Sequence, residues 1–355
     1  MRNALVRFLI LLSLTVGWND ITCSLFSTVL VWVVSEQNIG TRPSAIPISG
    51  LVLGLVAVLM FSGTVPATRM AVASIDPIVV GVGRSVLGGL IAIGYLVAVR
   101  APWPARNQVP GILVVALGAA VGFGWFSAEA LRTVSATHGS IVIGILPMLT
   151  AVFGTLRTGA RPRPLFWIAT AAGTAVVVVY AASSSRSASI GVGDAYLFGA
   201  LVCAAAAYAE GGRLARTLPG GQVIAWGLVA ALPISVPLTA VALRSSSFQP
   251  TAASLAALGY MAVFSVFVGM VLWYRAMGLA GVPRVSSIQL GQPLLSVVWS
   301  WLLIGEPLRA QTIVAAILVL VCVATAQQAR IVERRTETRA EGGRLQLGDG
   351  EASIH

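Results

Sequence analysis

Apolar runs of about twenty residues return along most of this chain, and the connections between them are too short to hold a folded unit. An α-helix rises about 1.5 Å per residue, so roughly 20 apolar residues cross a hydrocarbon layer about 30 Å thick. Such runs occupy 51–73, 78–99, 109–131, 136–156, 165–183, 194–212, 222–243, 254–274, 284–304 and 309–328. The connections at 101–108, 158–164 and 183–193 are rich in Pro, Gly, Ser and Arg. Inside a bilayer every backbone N–H and C=O needs a partner, and a helix supplies all of them from within the segment. The expected fold is therefore all-α, a polytopic membrane protein of ten transmembrane helices.

Composition agrees. Of 355 residues, 57% are hydrophobic and 10% charged, against about 25% charged in an ordinary soluble domain. The formal net charge of +11 does not point to nucleic acid, because the arginines stand singly between apolar runs. They cluster only at the end, as Arg330, Arg334, Arg335, Arg339 and Arg344. All 23 cationic residues are arginine. The missing lysine excludes a phosphate-binding P-loop and Schiff-base chemistry. Cys23, Cys203 and Cys322 have neither disulfide nor metal spacing and are expected to pack as small apolar residues. The expected partners are a lipid bilayer and a small molecule, with no cofactor, metal or nucleic acid. The oligomeric state stays open, a homodimer included.

Arginine in the connections sets the orientation, since cytoplasmic loops carry the excess. With the segment before the first helix inside, the inner loops hold ten arginines and the outer loops five, before the basic tail is added on the inner side. Both ends are expected in the cytoplasm and the loop at 183–189 outside, in a cell inner membrane. Residues 1–50 form an extension with apolar stretches at 8–18 and 23–34, interrupted by Asp20. A signal-like segment, an extra helix and a mis-assigned start all fit it. Residues 329–355 read as a basic, disordered cytoplasmic tail.

A shift of 146 residues lays 127–150 on 273–296 without a gap, with Ala130 on Ala276, Ser140 on Ser286, Pro147 on Pro293 and Leu149 on Leu295. Each stretch joins the third and fourth helix of its half. This divides the chain into a repeat at 51–183 and a second at 194–328. Five helices per half is an odd number, so the second half enters the membrane from the opposite side. Inverted repeats of this kind place a substrate site near the midplane, where the halves meet.

Asp76-Pro77 before the second helix, GILPMLTAVFG at 144–154, Gly193-Asp194-Ala195, and above all YRAMGLAGVPRVSSIQLGQPLLSVVWSWLLIGEPL at 274–308 resemble the EamA-type drug/metabolite transporters. The resemblance covers roughly 51–328. It implies ten helices, an inverted repeat, a central cavity and secondary transport, often export; it does not imply a substrate. The first half departs from the pattern, because Gly159-Ala160 stands where Gly305-Glu306 stands in the second.

Pro147 and Pro293 carry the strongest site expectation. Proline has no N–H and clashes with the carbonyl four residues earlier, so the carbonyls of Ile143 and Gln289 lose a backbone partner. Symmetric breaks at midspan mark a binding site or a structural kink. Gln289 and Gln292, three residues apart and so on one helix face, are candidate ligand contacts or a helix–helix hydrogen bond. Trp125 is a candidate for cavity lining, whereas Tyr274 is expected at the headgroup level. Glu129 and Glu210 are the acids within expected spans and so the proton-coupling candidates, but Arg132 and Arg213 stand three residues on, and an ion pair accounts for both acids. Arg84 lies deeper. It is expected to snorkel or to pair structurally, with contact to an anionic group as the alternative. His138 is expected to be an ordinary interfacial histidine. No enzyme motif is present. The expected function is thus export of a small metabolite or drug by alternating access. The alternatives are a membrane enzyme acting on a lipid or lipid-linked substrate, for which Glu129, Arg132 and His138 are the only cluster, and a non-transporting scaffold.

Overall fold

A computed structural model describes residues 48–158, 164–184, 191–245, 249–280, 285, 288–325 and 328. The N-terminal extension and the basic tail, with the expectations attached to them, lie outside the described residues. Among those residues there is no strand. Seven helices are long and apolar enough to cross a membrane: α1 (Ser49–Ala71), α2 (Val79–Ala98), α3 (Val109–Thr133), α4 (Ala136–Gly154), α6 (Val192–Leu214), α7 (Gly220–Ser245) and α8 (Ala252–Ala280). Shorter apolar helices are α5 (Pro164–Tyr180), α9 (Gln292–Ile304) and α10 (Ala310–Thr325).

Local sequence explains where the helices start. Asp76 accepts from the backbone N–H of Ile78 at 2.8 Å, with Pro77 opening the helical lead-in to α2, where its missing N–H costs nothing. Ser135 accepts from His138 N at 3.1 Å and Thr251 from Ser254 N at 3.2 Å, the side-chain caps expected of these residue types. Gly305 closes α9 with φ of 73°, a left-handed conformation that glycine adopts without a Cβ penalty.

The helices pack in matched pairs. α2 lies against α7, α4 against α9, α1 against both α8 and α9, and α6 against both α3 and α4. One buried apolar cluster draws mainly on α1, α2, α3, α7 and α8, and a second on α4, α5, α6 and α10. The outer surface is apolar too: Leu55, Leu90, Val179, Val241, Leu302 and Val321 are all exposed. A water-soluble monomer rarely shows so large a continuous apolar surface. Lipid is the solvent that such a surface fits.

Candidate functional site

The two proline breaks face each other. In α4 the helix stops at Ile143, turns through Gly144 and Ile145, and restarts at Leu146 with Pro147 in its first turn. At the start of α9, Gln289–Gly291 forms a short 3-10 turn before the α-helix begins at Gln292, again with proline in the first turn. Proline therefore sits where it is tolerated, and the irregular backbone lies just before it. The breaks are in close contact: a Cβ on Gly144 would come within 2.8 Å of Pro293 Cγ, so the approach needs glycine at this position.

A small cavity lies between them, lined by Pro147, Pro293, Gln289, Gln292, Ser140 and Ser296, among others. Gln289 donates to the Gln292 amide oxygen at 3.3 Å. The two amides thus bond each other, and Gln292 also lines a larger cavity beside the first.

That larger cavity takes lining residues from α1, α2, α3, α4, α6, α7, α8 and α9, at the junction of the two apolar clusters. Its polar groups are Thr64, Arg84, Tyr208, Ser265 and Gln292. Thr64 and Ser265 share a hydrogen bond of 2.7 Å between α1 and α8. Two wide i→i+5 helical turns, Ala116–Gly122 and Met261–Gly269, contribute to its wall, and a third, Val79–Gly83, directly precedes Arg84. Turns of this kind are rare and collect at functional sites.

Arg84 overturns the snorkelling expectation. It is 1% exposed and lies at the cavity wall. Its guanidinium stands 5.4 Å from the centre of the Phe123 ring, Nη1 meets Met261 Sδ at 3.8 Å, and among the described residues Nε has no hydrogen-bond partner. Close contact between the backbones of Gly81 and Gly124, on α2 and α3, brings the arginine in. No ion pair to Arg84 occurs among the described residues.

Other expected site residues lie elsewhere. Trp125 is 39% exposed, stacks on Phe126 at 5.5 Å, and lines neither cavity. The wide turn at 116–122 explains the difference: it holds more residues per turn, so the residues after it face another side than in an unbroken helix. Tyr274 is not exposed as a headgroup-facing residue would be but fully buried, donating to Ala207 O at 3.4 Å. Glu129 pairs with Arg132 at 3.4 Å and Glu210 with Arg213 at 2.6 Å, and neither acid lines either of these two cavities. His138 is buried, with Nε2 2.6 Å from Asp194 Oδ1 and its ring stacked on Tyr180. The trio Glu129, Arg132 and His138 is thereby split between two sets of partners.

Sequence reasoning missed Glu306, whose carboxylate accepts from the backbone N–H groups of Ala136 and Thr137. Its only signal was the Gly-Glu-Pro turn. It also missed the wide turns, which no residue pattern announced.

Comparison with known proteins agrees with this architecture. The profile of the EamA-like transporter family matches twice, at residues 48–182 and 191–326. The uncharacterized transporter YdeK of Bacillus subtilis (strain 168) is 38% identical over 280 residues, covering 79% of this chain and 97% of that protein. A protein known from a crystal structure shares the fold, with a TM-score of 0.57 at 19% identity over 82% of this chain and 99% of the other. With the family profile matched in both halves and a relative aligned over nearly its whole length, the chain belongs to the EamA-like transporter family and is a multi-pass membrane transporter.

Proposed function

We propose that this chain is a secondary transporter that exports a small metabolite or drug across the cytoplasmic membrane by alternating access, with ten spans arranged as two inverted five-helix repeats. The observation that carries this reading is the meeting of the Pro147 and Pro293 breaks at Gly144, beside a cavity that draws on both halves. Discontinuous helices at a repeat interface are a recurrent form of transporter substrate site.

Three features support the repeat. The family profile matches twice. The helix contacts map onto themselves when α1 exchanges with α6, α2 with α7, α3 with α8 and α4 with α9. The wide turn at Ala116–Gly122 falls within that at Met261–Gly269 when shifted by 146 residues. An inverted repeat provides two related conformations, open to opposite sides, which is what alternating access requires.

Comparison of cells with and without the gene tests the function. Internal and external metabolites are profiled, and growth is followed across a drug panel. The gene is expected to lower the internal level of at least one compound or to raise resistance to it. The Pro147→Ala, Pro293→Ala double variant is expected to return cells to the gene-less profile. Coincident profiles with and without the gene would remove the export reading.

A further inference from the structure

Burying a cation without a counter-charge is among the most expensive things a fold can do, and in a membrane protein such a group is a functional candidate by default. Arg84 is such a group. A guanidinium keeps its charge at physiological pH and presents five donors in a planar fork. Among the described residues Nε has no partner, Nη1 has only a thioether sulfur, and the Phe123 ring supplies only a cation–π contact. Among the described residues no Asp or Glu lines the cavity.

We infer that the larger cavity binds an amphipathic organic anion, a carboxylate or sulfonate on an apolar body, whose anionic group pairs with Arg84. The rest of the wall fits such a body: it is apolar apart from a few hydroxyls and one amide. Tyr208 and Gln292 supply neutral donors, and the apolar side chains cover the body. An organic cation meets repulsion from Arg84 there, with no carboxylate to offset it. This inference rests on the transport reading for its biological meaning but not for its test.

Purified protein is titrated with phenylacetate, phenylacetamide and phenethylamine, which share one apolar body and carry a negative, zero and positive charge. Thermal unfolding is followed by tryptophan fluorescence. Phenylacetate is expected to raise the melting temperature saturably, and the other two are not. Arg84→Gln is expected to raise the half-saturating concentration about ten- to a hundredfold, the loss of one charged hydrogen-bonded contact. Arg84→Lys, a point charge without the fork, is expected to fall between.

Should Arg84→Gln not reach the membrane, Met261 carries the test, because its sulfur touches the guanidinium. Met261→Glu installs an internal anion and is expected to abolish the phenylacetate response, while Met261→Gln keeps it. The inference is overturned by a response without charge preference, whether all three probes stabilise or none does. It is equally overturned by an unchanged response in Arg84→Gln, or by equal responses in Met261→Glu and Met261→Gln. Counterflow of the same probes in liposomes separates this outcome from the fate of the transport reading. Binding with charge preference but no movement leaves the anion site and removes transport. Movement of the amine as fast as the carboxylate leaves transport and removes the anion site.

Discussion

Glu306 and Ala136, 170 positions apart, are joined by a hydrogen bond of 2.8 Å from the Ala136 backbone N–H to the Glu306 carboxylate, and the second carboxylate oxygen takes the N–H of Thr137 at 2.7 Å. The first N–H groups of a helix have no partner within it and carry the positive end of its dipole, so a carboxylate there is doubly favoured. The α9–α10 connection of the second half thus caps α4 of the first.

Glu306→Ala is expected to lower stability by about 2 kcal/mol, within the range for a lost cap or charged hydrogen bond. Glu306→Gln keeps one acceptor and is expected to lose less. Melting temperatures of the purified variants check the order wild type, Gln, Ala. Equal values for all three mean that water replaces the carboxylate at no cost.

Asp194 makes a second connection at the same end of α4. Its Oδ2 accepts from Gly191 N at 3.0 Å and its Oδ1 lies 2.6 Å from His138 Nε2. Asp194→Ala leaves the buried imidazole nitrogen without its partner, at about 1–3 kcal/mol, and removes a helix cap as well. Asp194→Asn keeps an acceptor for one of the two and is expected to cost less than half as much. Denaturation of the two variants side by side decides this, and equal losses would show that the charge rather than the hydrogen bond matters.

Glu129→Gln and Glu210→Gln are expected to retain gradient-dependent transport. Both carboxylates are held by arginines one helical turn away and stand apart from either cavity. A carrier residue that takes up and releases its proton in each cycle needs access to the central site, and these do not line it. Efflux from vesicles with and without an imposed proton gradient is the measurement. Loss of the gradient response in either variant, with membrane insertion intact, would restore that carboxylate to the coupling mechanism.

How much of this was legible depends on the range of the interaction. Apolar run length is local, and the expected 109–131 and 194–212 lie inside α3 (Val109–Thr133) and α6 (Val192–Leu214). Proline is also local: its missing N–H allows an irregular turn to be expected, and the turns before Pro147 and Pro293 are there, although α7 runs unbroken through Pro233 and Pro237. The fate of Arg84 was not local. Whether a long cationic side chain snorkels or stays buried depends on how its helix is rotated against its neighbours, here set by the Gly81 and Gly124 contact and a wide turn at Val79–Gly83. Trp125 lies outside both cavities for the same kind of reason, since a wide turn upstream changes the phase of its helix. The partner of Glu306 lies in the other half of the sequence, and nothing in Gly-Glu-Pro names it.

The prediction that bears most directly on the site concerns Pro293. At 293 proline is in the first turn of α9, directly after the 3-10 turn of Gln289–Gly291. Alanine there supplies an N–H that reaches the carbonyl of Gln289, so the helix can extend backward through the break. An interior proline costs a helix about 3 kcal/mol, but in the first turn most of that cost is absent, so the stability of Pro293→Ala is expected to stay close to wild type. Its shape is not. Straightening 289–292 turns Gln289 and Gln292 away from their present contact of 3.3 Å and withdraws the irregular backbone that faces Gly144 across the smaller cavity. Transport is therefore expected to fall severalfold while the amount of inserted protein holds. Pro147→Ala is expected to do the same more weakly, because no glutamine flanks that break. The comparison is efflux rate divided by inserted protein for each single variant and the double. If the double variant transports at the wild-type rate, the prolines serve packing alone, and the substrate is bound by the larger cavity without help from the two breaks.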